Sequence, residues 1–286
     1  MAAPLVGDHR AAVTAAGRAF YKMSGSGNDF VVFDARTEPA GPLEQIAAIR
    51  TLCARGTGVG ADGVVFVEKS GSADADLLMK YFNSDGSRAA MCGNAALCVT
   101  RLAAELGAGA AAGMRLETDD GVLTARFVGG LPEVDLRPVL DVRPDTGLPL
   151  QPGERTIGFA LAGVPHLVVL CEDATVVDVA VRGRALRRHE SMPQGANVNF
   201  VSRRRLGWLI RTFERGVEAE TLACGTGAIA TAVLLTAWGE STRPETELET
   251  RSGRKLTVTL DRSGGAWKPT LRGEGRLVFR GQLGAE

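Results

Sequence analysis

Met91-Cys92-Gly93-Asn94-Ala95 runs into Ala96-Leu97-Cys98-Val99-Thr100-Arg101-Leu102, and Ala223-Cys224-Gly225-Thr226-Gly227-Ala228 runs into Ile229-Ala230-Thr231-Ala232-Val233-Leu234-Leu235. The two stretches are variants of one another: cysteine, glycine, a small polar residue, then an apolar helical run. Each cysteine is therefore placed at the mouth of a helix. Helix N-termini leave N–H groups unpaired and carry about half a positive charge. That field draws a thiol pKa toward the working range, and the same donors hold an anion. A lone cysteine is usually a small buried hydrophobe. Two in matching settings suggest a pair of thiols facing one carboxylate substrate, which is an arrangement for proton transfer.

Working outward, each Cys-headed helix is set among strand patterns. Tyr21 to Asp34 reads as a strand broken by the turn Ser24-Gly25-Ser26-Gly27-Asn28-Asp29, and Pro42 to Arg55 as a helix. Strands are expected at Val64 to Glu68 and Leu77 to Asn83, then the helix Asn94 to Leu106, then strands near Arg115 to Thr118, Val122 to Phe127 and Glu133 to Leu136. The second half has strands at Thr156 to Leu161, Leu167 to Cys171, Asn197 to Ser202 and Leu209 to Glu214, a helix to about Trp238, and strands at Lys255 to Leu260 and Arg276 to Arg280. Strand runs with one long helix per half imply an α+β chain of two domains of similar design. The expected division is a tail over 1–19, a first domain over 20–136, and a second over 137–273, with a return of 274–286 to the first left open.

Bulk properties narrow the function. The chain has 286 residues, 45% of them hydrophobic, and a formal net charge of zero. No basic stretch dominates, which argues against nucleic acid and anionic membrane as partners; Arg203-Arg204-Arg205 reads as a solvated turn. No apolar run approaches the ~20 residues of a membrane span, and Met1 to Ala19 lacks the apolar core of a secretory signal, so a cytoplasmic location is expected. Five scattered cysteines without a Cys-x-x-Cys argue against a disulfide framework, and His9, His166 and His189 lack zinc-finger spacing, so no metal is expected. Cys53, Cys98 and Cys171 have apolar neighbours and read as core.

Two glycine patterns imitate nucleotide loops. Gly58-Val59-Gly60-Ala61-Asp62-Gly63 precedes a strand rather than a helix, so its glycines read as turn residues. Gly225-Thr226-Gly227-Ala228 does open a helix, but Glu218 to Ala223 and Glu245 to Glu249 are too polar for the buried strands of such a fold.

The remaining polar signals are individually weak: Asn28, Asn83 and Asn197 at turns or strand ends, the pair Glu214-Arg215, and His166 after Pro165. Together, in the segments Met23 to Phe33, Arg55 to Glu68, Phe82-Asn83-Ser84-Asp85-Gly86-Ser87 with Cys92-Gly93-Asn94, Gly163-Val164-Pro165-His166, Asn197-Val198-Asn199-Phe200, and Phe213-Glu214-Arg215-Gly216 with Cys224-Gly225-Thr226-Gly227, they are colinear with one family. The chain resembles the diaminopimelate epimerases of the cofactor-independent amino-acid racemase superfamily. The resemblance implies two pseudo-symmetric domains, each a mostly antiparallel sheet curled around a central helix, with the site in the cleft between them. It implies inversion at an α-carbon of a diamino diacid, from LL- to meso-diaminopimelate, for lysine and cell-wall synthesis, by a homodimer.

Carried over residue by residue, Cys92 and Cys224 are the paired acid and base. Asn28, Asn83, Asn197, Glu214 and Arg215 hold the substrate, Gly93, Asn94, Gly225 and Thr226 offer donors to the reacting carboxylate, and His166 supports the site. There are departures. Val164 stands where many members have Asn, Gly63 where some have Gln, and the link from Arg215 to Cys224 is one residue longer.

The chemistry fits the residues. Inversion removes a proton from one face and returns one to the other, so two opposed groups suit it. No pyridoxal-binding lysine is evident and no cofactor is expected; helix N-termini aimed at the carboxylate are the device for stabilising the carbanion. The Arg215 fork suits a second carboxylate, and Glu214 a second ammonium. The rival readings are a racemase of the same fold acting on histidine or a proline derivative, and a thiol-switch or carboxylate-binding protein without turnover.

Overall fold

The computed structural model describes residues 16–284. By contact the chain divides between Leu123 and Thr124 and again between Glu274 and Gly275, so the C-terminal strand belongs with the first unit. The sequence reading places the first division at 136/137 instead. It falls earlier because β8 (Leu131–Asp135) is an antiparallel neighbour of β17 (Lys268–Gly273), which lies in the second unit.

In the first unit, β1 (Ala19–Gly25) and β2 (Asn28–Asp34) form a hairpin whose turn takes Ser26 and Gly27 to positive φ. A 3-10 turn at Gly41–Glu44 leads to α1 (Ile46–Cys53). β3 (Gly63–Lys69) is parallel to β2, and β4 (Leu77–Asn83) is antiparallel to β3. The short β5 (Arg88–Ala89) precedes α2 (Gly93–Glu105), after which β6 (Met114–Thr118) is parallel to β4, and β7 (Gly121–Val128) crosses into the second unit. The last strand, β18 (Arg276–Gln282), is antiparallel to β1. Where the sequence pattern reads one helix over Pro42 to Arg55, extended Gln45 separates the 3-10 turn from α1.

The second unit repeats this order. After β9 (Val142–Arg143), the hairpin of β10 (Glu154–Ala162) and β11 (Val164–Cys171) turns at Gly163. Helix α3 (Val179–Arg187) follows, then β12 (Asn197–Arg203) parallel to β11 and β13 (Trp208–Glu214) antiparallel to β12. β14 (Ala219–Thr221) precedes α4 (Gly225–Ala237); β15 (Glu245–Glu249) is parallel to β13, and β16 (Lys255–Asp261) and β17 complete the run. The registers correspond as well. Tyr81 faces Ala89 and Thr212 faces Thr221, each partner three residues before a helix-mouth cysteine. Leu77 faces Leu116 as Trp208 faces Leu248.

Packing explains why the strands read as they do. Val31, Phe33, Val64 and Phe66 cluster with Ile49 and Leu52 of α1, while Phe30, Val32 and Val65 between them are also fully buried. Strands covered on both faces carry continuous apolar runs. Helices α2 and α4 are the inner helices: α2 packs on β1, β2, β4 and β18, and α4 on β10, β11, β12, β16 and β17. Ten of the thirteen residues of each are buried. Enclosure on all sides accounts for the absence of a polar stripe in α4, whereas α2 turns Arg101 and Glu105 outward near its C-terminal end. Glu245–Glu249, which reads as too polar for the buried strand of a dinucleotide fold, forms a strand with one covered face; Thr246 and Leu248 point inward and the glutamates outward.

Candidate active site

Cys92 and Cys224 are the residues immediately preceding α2 and α4, and their backbones are nearly superposable. Cys92 has φ −138° and ψ 117°, Cys224 has φ −143° and ψ 111°. This extended geometry is that of an N-cap residue. Each main-chain carbonyl takes the first helical bond, from Ala96 and Ala228 respectively, at 2.9 Å. Cys224 Sγ also accepts from the Gly227 N–H at 3.4 Å and lies 3.5 Å from Thr226 Oγ1. Cys92 is half-buried and Cys224 buried. The other thiols are core residues, as read from sequence: burial pushes Cys53 up to about 11 and Cys171 up to about 12, and Cys98 is fully enclosed.

Around the α2 mouth the first unit builds an ionic support. Asn94, the second residue of α2, donates through Nδ2 to Asn28 Oδ1 at 2.6 Å, and Asn28 Nδ2 donates to Asp62 Oδ2 at 3.1 Å. Arg55 bridges Asp62 and Asp29 at 2.8 and 2.7 Å, and buried Lys22 binds Asp29 at 2.6 Å and the Gly60 carbonyl. Burial pushes the Asp29 carboxyl up, but the hydrogen bonds from Arg55 and Lys22 outweigh it and hold it below the usual carboxylate value. Gly25 lets the hairpin reach the helix: a Cβ there would sit 2.5 Å from the Asn94 carbonyl oxygen. Asn83 lies at the end of β4, where its Nδ2 donates to Ser87 Oγ at 3.0 Å across a tight turn. Gly63 faces it in register, and the space beside Gly63 is filled by the Tyr81 ring.

The second unit surrounds the α4 mouth with a largely neutral network. Asn197 is buried, and its Oδ1 accepts from the Arg215 backbone N–H at 2.7 Å. The Arg215 guanidinium reaches the Gln194 carbonyl at 3.1 Å. His166 faces Asn197 in register and is fully buried. Burial, with the nearby Arg215 charge, drives its pKa down to about 3, so the imidazole is neutral. Its Nδ1 lies 3.2 Å from Asn199 Nδ2. Val164 sits at the hairpin turn, and Gly163 brings that turn close to Thr226. Glu214 ends β13, one residue before Arg215.

The first unit thus gathers Asn28, Gly93, Asn94 and Cys92, and the second Asn197, Arg215, His166, Gly225, Thr226 and Cys224. Asp62, Arg55, Asp29 and Lys22 are site residues to which no sequence pattern points. The signal for Asn199 was present: Asn197 and Asn199 alternate with apolar residues, so both lie on one face of a buried strand. Among the described residues no helix is long and apolar enough to cross a membrane, and no group of three or more His, Cys, Asp or Glu side chains is placed to hold a metal ion.

Comparison with known proteins gives the family and the fold. A family model described as diaminopimelate epimerase matches residues 20–130 and 159–274. A diaminopimelate epimerase of Gemmatimonas aurantiaca is 53% identical, the match covering 92% of this chain and 98% of the relative. One of Aquifex aeolicus is 40% identical over 93% and 98%. Among solved structures, a hydroxyproline epimerase of Agrobacterium vitis shares the fold with a TM-score of 0.69 at 18% identity, covering 93% of this chain and 92% of that one. A PhzF-family phenazine biosynthesis protein of Bacillus anthracis shares it with a TM-score of 0.70 at 16% identity, covering 93% and 98%.

Proposed function

Because the chain belongs to the diaminopimelate epimerase family, we propose that it inverts one α-carbon of diaminopimelate, interconverting the LL and meso forms, with Cys92 and Cys224 as the acid–base pair. The observation that carries this reading is the repeated placement of the two cysteines, each capping an inner helix with the same backbone geometry. One sulfur enters as thiolate and takes the α-hydrogen as a proton, forming an S–H bond and leaving the electron pair on carbon. The other enters as thiol and gives its proton to the opposite face. The carbon regains a C–H bond, the two sulfurs exchange protonation states, and no electrons leave the system. Two sulfurs acting in this way titrate as a pair.

The carbanion is stabilised by the substrate's own ammonium and by the helix N–H groups beginning at Gly93, Asn94, Gly225 and Thr226, aimed where charge develops on the carboxylate. Asn28, Asn83 and Asn197 hold the bound amino acid. Arg215 grips the distal carboxylate and Glu214 the distal ammonium, which selects a diamino diacid over a simple amino acid. The enzyme serves lysine and peptidoglycan synthesis in the cytoplasm as a homodimer. Support for the dimer comes from β18, where Val278 and Phe279 are 44% and 47% exposed, an apolar surface suited to a second copy. Incubation with LL-diaminopimelate, followed by chiral separation, is expected to yield the meso form. Turnover of proline or hydroxyproline with none of diaminopimelate would overturn the substrate assignment.

A further inference from the structure

Asn199 is fully buried, and every polar atom of its side chain is spoken for. Its Nδ2 lies 3.0 Å from the Leu167 carbonyl oxygen and 3.2 Å from His166 Nδ1, and its Oδ1 lies 2.9 Å from Thr212 Oγ1. The Leu167 carbonyl can only accept, so the group beside it is the amide NH2 and not the amide oxygen. One N–H goes to that carbonyl, which leaves the other directed at His166 Nδ1. A ring nitrogen receiving an N–H cannot carry a hydrogen itself. The proton of this imidazole therefore resides on Nε2.

Nε2 is buried and has no hydrogen-bond partner among the described residues. A buried donor without an acceptor is costly and calls for a partner that arrives with the working state. Arg215 is the charged group acting on the ring, and it opposes the imidazolium form. The ring is therefore poised to donate from Nε2, and it has no lone pair available there for taking a proton.

We infer that Asn199 is a positioning residue that locks His166 as a neutral Nε2–H donor to an anionic acceptor of the active site, so that His166 orients charge and takes no part in proton transfer. The acceptor is either a substrate carboxylate oxygen or a catalytic thiolate. Both are anions that accept the same hydrogen bond. Gly227 belongs to the same device: a Cβ there would lie 2.3 Å from Asn199 Oδ1, so the first turn of α4 is fitted against this amide. The lock itself stands apart from the proposed reaction, whereas the identity of the acceptor rests on it.

The test is nitrogen NMR of the full chain with 15N-labelled histidine rings, the His166 signals being assigned by their loss in His166→Gln. The expected spectrum shows a protonated Nε2 and a bare Nδ1 that do not change through neutral pH. A protonated Nδ1, or titration near pH 6.5, overturns the inference. Asn199→Asp replaces the donor by an acceptor and is expected to move the proton to Nδ1 or bring ring titration into the neutral range, with a loss of turnover that Asn199→Ala does not exceed. Thr212→Val, which removes the hydroxyl fixing the amide, is expected to broaden or split the same signals even if the aspartate variant does not fold. Ring signals identical to wild type in folded Asn199→Asp contradict the lock. A shifted pH profile of Cys92 or Cys224 alkylation without substrate identifies a thiolate acceptor. An unchanged profile with a raised KM identifies a substrate carboxylate. Because the NMR signature needs no turnover, a chain that shows it yet fails to epimerise diaminopimelate breaks the functional reading and leaves this one standing.

Discussion

The two helix mouths share a backbone and differ in what supports them. At α2 the support is ionic, with Lys22, Asp29, Arg55 and Asp62 ordering Asn28 against Asn94 around a half-buried cysteine. At α4 the buried groups are neutral, with His166, Asn199 and Thr212 holding each other beside a buried cysteine, and Arg215 is the nearby charge. The repeat conserved the position of the sulfur and let each environment diverge. If the two sulfurs exchange a thiolate and a thiol in each turnover, the two environments hold the same sulfur chemistry by different means.

The comparison breaks first at the sulfurs. Cys92→Ala and Cys224→Ala are each expected to lower turnover by about 10²–10⁴-fold, the usual scale for a lost proton-transfer group, as measured by loss of chiral inversion. If only one variant is impaired, the mouths are not functional equals. The next largest effect concerns Arg215, the residue proposed to grip the distal carboxylate. Arg215→Ala is expected to raise KM for the diacid about 10–100-fold, the scale of a charge-assisted contact of about 1.5–3 kcal/mol. An unchanged KM removes the distal-carboxylate assignment.

The close approaches sharpen the comparison. Gly25→Ala meets the Asn94 backbone carbonyl at 2.5 Å, whereas Gly227→Ala meets the Asn199 side chain at 2.3 Å. Overpacking costs about 1–3 kcal/mol, and alanine within a helix returns about 1 kcal/mol. Thermal denaturation should therefore show Gly25→Ala as the more destabilised. The reverse order would mean that the neutral network is the stiffer one.

The smallest effect is read in mild acid. His166 is held neutral far below its unfolded value of 6.5, so the unfolded chain binds the proton first and stability falls as pH drops below 6.5. Between pH 6.5 and 5.5 this amounts to about 1 kcal/mol. Asp29 is depressed below 3.8, so its contribution is intact above that value and is lost only on further acidification through its folded pKa. Denaturant titrations should show His166→Gln losing less stability than wild type between neutrality and pH 5.5. Equal slopes would contradict the neutral buried ring.

What the sequence revealed and concealed follows from the same contrast. The cysteine-headed helices were legible because their capping motif is local and occurs twice. β2 and β3 were legible because strands covered on both faces are continuously apolar. Helix α3 was not read: Arg182, Arg184 and Arg187 obscure its apolar side, and Gly183 weakens its helical pattern yet is required, since a Cβ there would lie 2.5 Å from Phe213. β15 and β17 have only two or three inward side chains each, too few for a clear alternation. Among the site residues, the asparagines and Arg215 stood out through family resemblance. Asp62 and Lys22 did not, because their partners are far apart in sequence and only the fold brings them together; for Asn199 the strand alternation shows its face but not its partners.

The central claim, one sulfur for each face of the α-carbon, is tested most directly by running the wild-type reaction in deuterium oxide and stopping it early. The account predicts that newly formed meso product carries solvent deuterium at the inverted carbon while recovered LL substrate keeps its original hydrogen. Product that retains the substrate's own hydrogen would mean a single group serving both faces, and would contradict it.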